Sequence, residues 1–212
     1  MDTPFRPSPL ALAVLGLLVG GPLHPYGIQR LLKQWGKDDV VNVGQRANLY
    51  KTIKRLHDAG LIAVRQTERA QQYPERTVYE LTDAGREAVG EWLADLLATP
   101  RQEFPWFPAA LSFAMLLGPG QALAALERRA ATLRDSLARL DDHLSHLQAT
   151  LPRVTLLDDE YQRAIIAAEL NWLTGLLDDL RSGALTWTAD ELRTFVMAEL
   201  GAEPPGEFGE IP

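Results

Sequence analysis

The stretch that decides the fold runs from residue 49 to residue 86: LYKTIKRLHDAGLI (49–62), a polar segment, then RTVYELTDAGR (76–86). Leu49, Ile53 and Leu56 recur at helical spacing with Thr52 alongside, which predicts a helix over about Gln45 to Ala59 with one apolar stripe. Gln45, Arg46, Asn48, Lys51, Lys54 and Arg55 occupy its other faces, and no acid intervenes before Asp58. Gly60 reads as the residue that ends it. Leu61 to Gln66 and Arg76 to Leu81 alternate as half-buried strands. Between them Thr67 to Glu75 (TERAQQYPE) is polar and holds a proline, so it reads as a tip. Thr82 or Asp83 then caps a helix to about Ala98. Helix, strand, exposed tip, strand is the layout of a winged helix-turn-helix, a fold that sets one helix into a DNA groove.

Upstream, Leu10 to Gly21 (LALAVLGLLVGG) is apolar enough to be weighed as a secretory signal. Its run of about 12 residues is too short to span a membrane. Gly-Gly-Pro-Leu-His-Pro follows it, without a small-x-small cleavage site. A buried helix over Leu10–Val19 is the better reading, and a cytoplasmic protein the expectation. Pro25 suits the first turn of a second helix, about Tyr26 to Trp35. There Ile28, Leu31, Leu32 and Trp35 face a core. Residues 1–9 (MDTPFRPSP), with three prolines, read as a disordered arm.

With 212 residues the chain has room for one large or two small domains. It contains no cysteine, which excludes disulfides and thiolate metal sites. The net charge of −7 conceals an asymmetry. Residues 1–97 hold 12 Lys/Arg against 11 Asp/Glu, whereas residues 98–212 hold 9 against 17. All four lysines lie within the first 54 residues, so the front half is the one suited to a polyanion.

Residues 99–108 (TPRQEFPWFP) form a proline-punctuated link, and 99–119 comprise this link with the start of a helical region. From 120 to 200 the chain reads as all helical. Leu123, Leu126, Ala130, Leu133, Leu137, Leu140, Leu144, Leu147 and Leu151 keep a 3-4 spacing over four heptads, the seam of a coiled coil, and Pro152 stops it. A further helix, about Asp158 to Arg181, carries Tyr161, Ile165, Ala168, Trp172, Leu176 and Leu180 on one stripe. Thr188 to Glu191 is a capping box that starts a last helix. Residues 201–212 form a Pro/Gly-rich, acidic tail. The fold class is therefore mostly α with a small β wing. The domains are a winged helix-turn-helix over 10–98 and an α-helical dimerisation domain over 120–200.

With these residues placed, the chain resembles the PadR family of bacterial transcriptional regulators. The matching stretches are LAVLGLLVGGPLHPYGI (12–28), LYKTIKRLHDAGLI (49–62) and RTVYELTDAGREAVGEWL (76–93), in the family's order and at its separations. FPAALSFAMLL (107–117) and ELNWLTGLLDDLRSGALTW (169–187) resemble members with a long C-terminal region. The resemblance implies a homodimer that binds a palindromic operator in double-stranded DNA, usually as a repressor. It also implies, as in several members, a small aromatic effector that weakens DNA binding. Two departures stand out: Pro25, where glycine often follows the histidine, and Gln45-Arg46-Ala47-Asn48, where Ser-Pro-Gly-Thr-like residues are common. Both bear on the operator sequence, not on the fold.

In a helix-turn-helix the first turn of the reading helix enters the major groove, which places Gln45, Arg46 and Asn48 near base edges. Tyr50, Lys51, Lys54 and Arg55 suit phosphates. At the wing, Arg69, Gln72 and Arg76, with Arg65 and Gln71, reach toward the flanking groove or backbone. The dimerisation seam is Leu123, Leu126, Leu133, Leu137, Leu140, Leu144 and Leu147, which packs equally well inside a bundle. Trp106, Phe107, Phe113, Tyr161 and Trp172 are candidates for an effector pocket, against the plainer reading of an aromatic core. No enzyme, cofactor or metal is expected. His143 and His146 flank the seam without further ligands, and neither a phosphate-binding glycine loop nor a nucleophile elbow is present. The rival to a DNA-binding regulator is a winged-helix module that uses the same face for protein.

Overall fold

The computed structural model describes residues 5–37, 41, 46–68, 76–188, 190–192 and 194–195. The chain divides into two compact units, 1–102 and 103–212.

In the first unit, α1 (Pro9–Val19) starts at Ser8, whose hydroxyl accepts the Ala11 N–H at 3.2 Å. Ala11, Val14, Leu15 and Leu18 are fully buried, as expected of a helix apolar around most of its surface. Part of the segment expected to be an arm is thus packed, because Phe5 also stacks on Trp92. α2 (Pro25–Gln34) is capped by His24, whose Nδ1 accepts the Gly27 N–H at 2.6 Å. Ile28 and Leu32 face the core, but Trp35, expected there, is 53% exposed: it lies past the last helical residue, at the C-cap.

α3 (Arg46–Asp58) buries Leu49, Thr52, Ile53 and Leu56. It ends at Gly60, whose φ of +71° favours glycine. β1 (Ile62–Glu68) and β2 (Arg76–Leu81) pair antiparallel, from Ile62 opposite Leu81 to Glu68 opposite Arg76. Val64 faces Tyr79 and Gln66 faces Val78, so Arg65 is an extra residue in a β-bulge. Leu23 adds a third rung that the sequence did not suggest, exchanging two backbone hydrogen bonds with Tyr79 at 2.9 and 3.0 Å. α4 (Asp83–Ala98) begins at Thr82, whose hydroxyl accepts the Gly85 N–H.

The second unit contains α5 (Trp106–Ser112), a 3-10 turn (Ala114–Leu116), α6 (Pro119–Leu147), a second 3-10 turn (Arg153–Leu156) and α7 (Leu157–Ser182). α6 and α7 form an antiparallel hairpin. Ion pairs run between its legs: Arg181 with Glu127, Arg129 with Glu169 and Arg163 with Asp141. Its core is Leu126 and Ala130 against Leu173, Leu177 and Leu180, with Leu123, Leu133 and Leu170 at its margin.

Two expectations need correction. α6 stops at Leu147, so Leu151 falls outside the helix and the seam loses its last position. On α7, the face buried against α6 is that of Leu173, Leu177 and Leu180, while Tyr161, Ile165 and Trp172 stay exposed. α7 is apolar on two sides, and a single partner helix covers only one of them. The box at Thr188 is present, with the Thr188 N–H donating to the Glu191 carboxylate at 2.7 Å and the Glu191 N–H to the Thr188 hydroxyl at 3.2 Å. Among the described residues no helix is long and apolar enough to cross a membrane.

Candidate nucleic-acid interface

The packing of α3 sorts its side chains. With Leu49, Thr52, Ile53 and Leu56 turned inward, Ala47, Lys51 and Lys54 stand on the opposite side of the helix and are exposed. Tyr50, 54% exposed, lies on one flank, while Asn48 and Arg55 lie on the other. Lys54 meets Asp58 one turn on at 2.6 Å, so its ammonium is partly neutralised within the helix. The Arg55 guanidinium carbon sits 4.8 Å from the centroid of the Phe5 ring. On the Tyr50 flank, His57 meets the Tyr79 ring at 6.2 Å, edge to face, so α3 is braced against the wing strands.

Gln45, Arg69 and Gln72 lie outside the described residues. Arg46 is the first residue of α3 and Arg76 the first of β2. The bulge residue Arg65 carries its guanidinium 3.4 Å from the Glu80 carboxylate, both side chains exposed. Sequence reasoning missed Phe5 and Trp92, because their meeting depends on contact between segments remote in the chain.

The base of the wing is built to close tolerance. The Thr82 hydroxyl accepts from Gly85 at 3.0 Å and donates to the Gly60 carbonyl at 2.8 Å. A Cβ on Gly85 would fall 2.1 Å from the Leu61 carbonyl oxygen. The run TDAGR is therefore the junction that fixes where α4 leaves the wing.

In the second unit, Phe107 and Trp172 meet edge to face at 6.2 Å, and Arg129 lies 3.5 Å from the Phe107 centroid while paired with Glu169. The other aromatic candidates do not join them. Trp106, Phe113 and Tyr161 are exposed, and among the described residues no ring contact links them to that pair. Of the seam, Leu126 lies in the hairpin core with Leu123 and Leu133 packed at its margin, Leu144 is buried, and Leu137, Leu140 and Leu147 are half-buried.

Three helices, a capped turn and a bulged hairpin joined by a third rung define a winged helix-turn-helix. Residues 14–91, the winged domain, match the transcriptional regulator PadR-like family. The chain is 33% identical over 89 residues to the negative transcriptional regulator PadR of Bacillus subtilis (strain 168). That match spans 40% of this chain and 44% of the relative's length. Among solved structures, Bacillus subtilis PadR in complex with operator DNA aligns with TM-score 0.66 at 22% identity, covering 81% of this chain and 98% of that one. The same protein with p-coumaric acid aligns with TM-score 0.68 at 21% identity, covering 82% and 99%. At such identities the likeness establishes the fold.

Proposed function

We propose that the chain is a homodimeric, sequence-specific DNA-binding regulator that represses at a palindromic operator and is released by a small aromatic effector. The observation that carries this reading is the sorting of α3. Its apolar side is used up by the core, and what remains outward beside the wing is Tyr50, Lys51, Lys54 and Arg55 on a PadR-like domain. Arg46 and Asn48 in the first turn read bases, with Gln45 before them; Tyr50, Lys51, Lys54 and Arg55 hold phosphates; Arg69, Gln72 and Arg76 serve the wing.

The second copy takes the apolar side that α7 leaves uncovered, Tyr161, Ile165 and Trp172, together with the half-buried Leu137, Leu140 and Leu147 of the seam. A small aromatic effector suits the Phe107–Trp172 pair. It acts by favouring a dimer whose two α3 helices no longer match successive major grooves, to the extent of its differential affinity for that state.

The test is selection of bound sequences from a random duplex pool at about 150 mM salt. An enriched palindrome with half-sites about one helical turn apart supports the reading. Binding that is weak, salt-sensitive and without sequence preference would mean that this face is a non-specific or protein-binding surface.

A further inference from the structure

We propose that Phe5 is a positioning residue for DNA binding: its ring is a shelf that holds the Arg55 guanidinium in place for a backbone phosphate. The inference rests on reading α3 as the DNA-contacting helix and adds a part supplied from outside it. Side chains from three segments meet at the Phe5 ring. Phe5 precedes α1, Trp92 lies on α4 and Arg55 on α3. The Phe5 and Trp92 rings are 5.4 Å apart and nearly parallel, at 13°. Both rings also pack against the core of the first unit, so the shelf is anchored. The Arg55 guanidinium carbon lies over the Phe5 ring, 4.8 Å from its centroid.

The chemistry of this contact differs from that of the lysine one residue earlier. Lys54 spends its charge on Asp58 at 2.6 Å. Arg55 has no carboxylate partner among the described residues. A cation over an aromatic face is held through the ring quadrupole, which uses none of the in-plane N–H donors. The guanidinium is thereby restrained in position with its hydrogen-bonding edge unspent, the condition for a two-pronged grip on a phosphate. Losing the shelf frees a long side chain, which must then be ordered again when DNA binds.

The experiment uses the full chain and a fluorescently labelled duplex, with binding followed by anisotropy across a potassium chloride series. The variants are Phe5→Leu, which keeps apolar bulk without a π face, Phe5→Tyr, which keeps the face, Arg55→Ala, Lys51→Ala and the double variant Phe5→Leu/Arg55→Ala. Thermal unfolding of each variant monitors folding. The expected result is a roughly two- to fivefold loss of affinity in Phe5→Leu, on the scale of an exposed cation–π contact, with the variant still fully folded at the assay temperature despite the lost stacking on Trp92. Phe5→Tyr should bind as the parent does. Arg55→Ala should weaken binding and lower the salt slope by about one phosphate, and adding Phe5→Leu to it should change nothing further.

The proposal is overturned if Phe5→Leu binds like the parent, or if its loss persists in the Arg55→Ala background. Arg55→Ala without effect, while Lys51→Ala weakens binding, would remove the Phe5–Arg55 device but leave α3 as the DNA helix. If both were silent, the reading of α3 itself would fall.

Discussion

Gly85 and the Leu61 carbonyl approach so closely that a side chain at position 85 would place its first carbon 2.1 Å from the oxygen. This approach lets Thr82 bridge α4 to the end of α3, through the Gly60 carbonyl. Gly85→Ala must push backbone away from backbone and should cost about 3 kcal/mol or more. Thr82→Ala removes a helix cap and should cost about 1–2 kcal/mol, with Thr82→Ser close to the parent. Urea unfolding followed by circular dichroism measures both. An alanine at 85 with unaltered stability would show that the junction has slack.

Lys51 and Asp58 should act oppositely on DNA. Both stand on the outward side of α3, and Asp58 holds Lys54 in an exposed ion pair. Lys51→Ala should weaken binding to all duplexes alike and reduce the salt slope by about one. Asp58→Asn should strengthen binding at low salt, since it removes a like charge and releases Lys54. Arg46→Ala should relax base preference instead. Anisotropy titrations over a salt series, with matched and mismatched duplexes, separate the three. A weaker Asp58→Asn complex would contradict this account of α3.

The two apolar sides of α7 make separable predictions. Leu177 is buried against α6, and Leu177→Ala should destabilise the hairpin by about 2–5 kcal/mol. Ile165 is half exposed on the uncovered side. If the chain is the homodimer proposed above, Ile165→Glu should leave helix content intact and convert dimer to monomer in sedimentation velocity. Persistence of the dimer would assign the interface elsewhere.

The acid limb of stability should depend on Glu160. Hydrogen bonds from the Arg153 guanidinium, at 2.9 to 3.1 Å, hold its carboxyl below the usual range. A carboxyl depressed in the folded state adds stability above the unfolded value of about 4.3, and that contribution is lost as pH falls through the lower folded value. Glu160→Gln should therefore flatten the fall in melting temperature between about pH 5 and pH 2. At neutral pH it should lower the melting temperature by the same small amount, small because Arg153 is well exposed. Parallel acid profiles for parent and variant would refute it.

Much of the first unit was legible in the residues themselves. Leu49, Ile53 and Leu56 at helical spacing, Gly60 after them and TDAG at the next helix start are local patterns with local causes. So are the caps at Thr82 and Thr188. Trp35 misled because its spacing fits the stripe of α2, while the helix ends one residue before it. The bulge at Arg65 and the rung from Leu23 to Tyr79 were not legible, since pairing register depends on what each strand meets.

From the sequence alone come the elements, their order, the lysine-bearing outward side of α3 and the family likeness, because periodicity, capping chemistry and charge placement act within a few residues. Tertiary structure alone decided which of two apolar sides of α7 the hairpin covers, how much of the leucine seam it consumes, and that Phe5 meets both Trp92 and Arg55. Those outcomes turn on which surfaces compete for one another in space, and a one-dimensional pattern does not rank partners that are equally apolar.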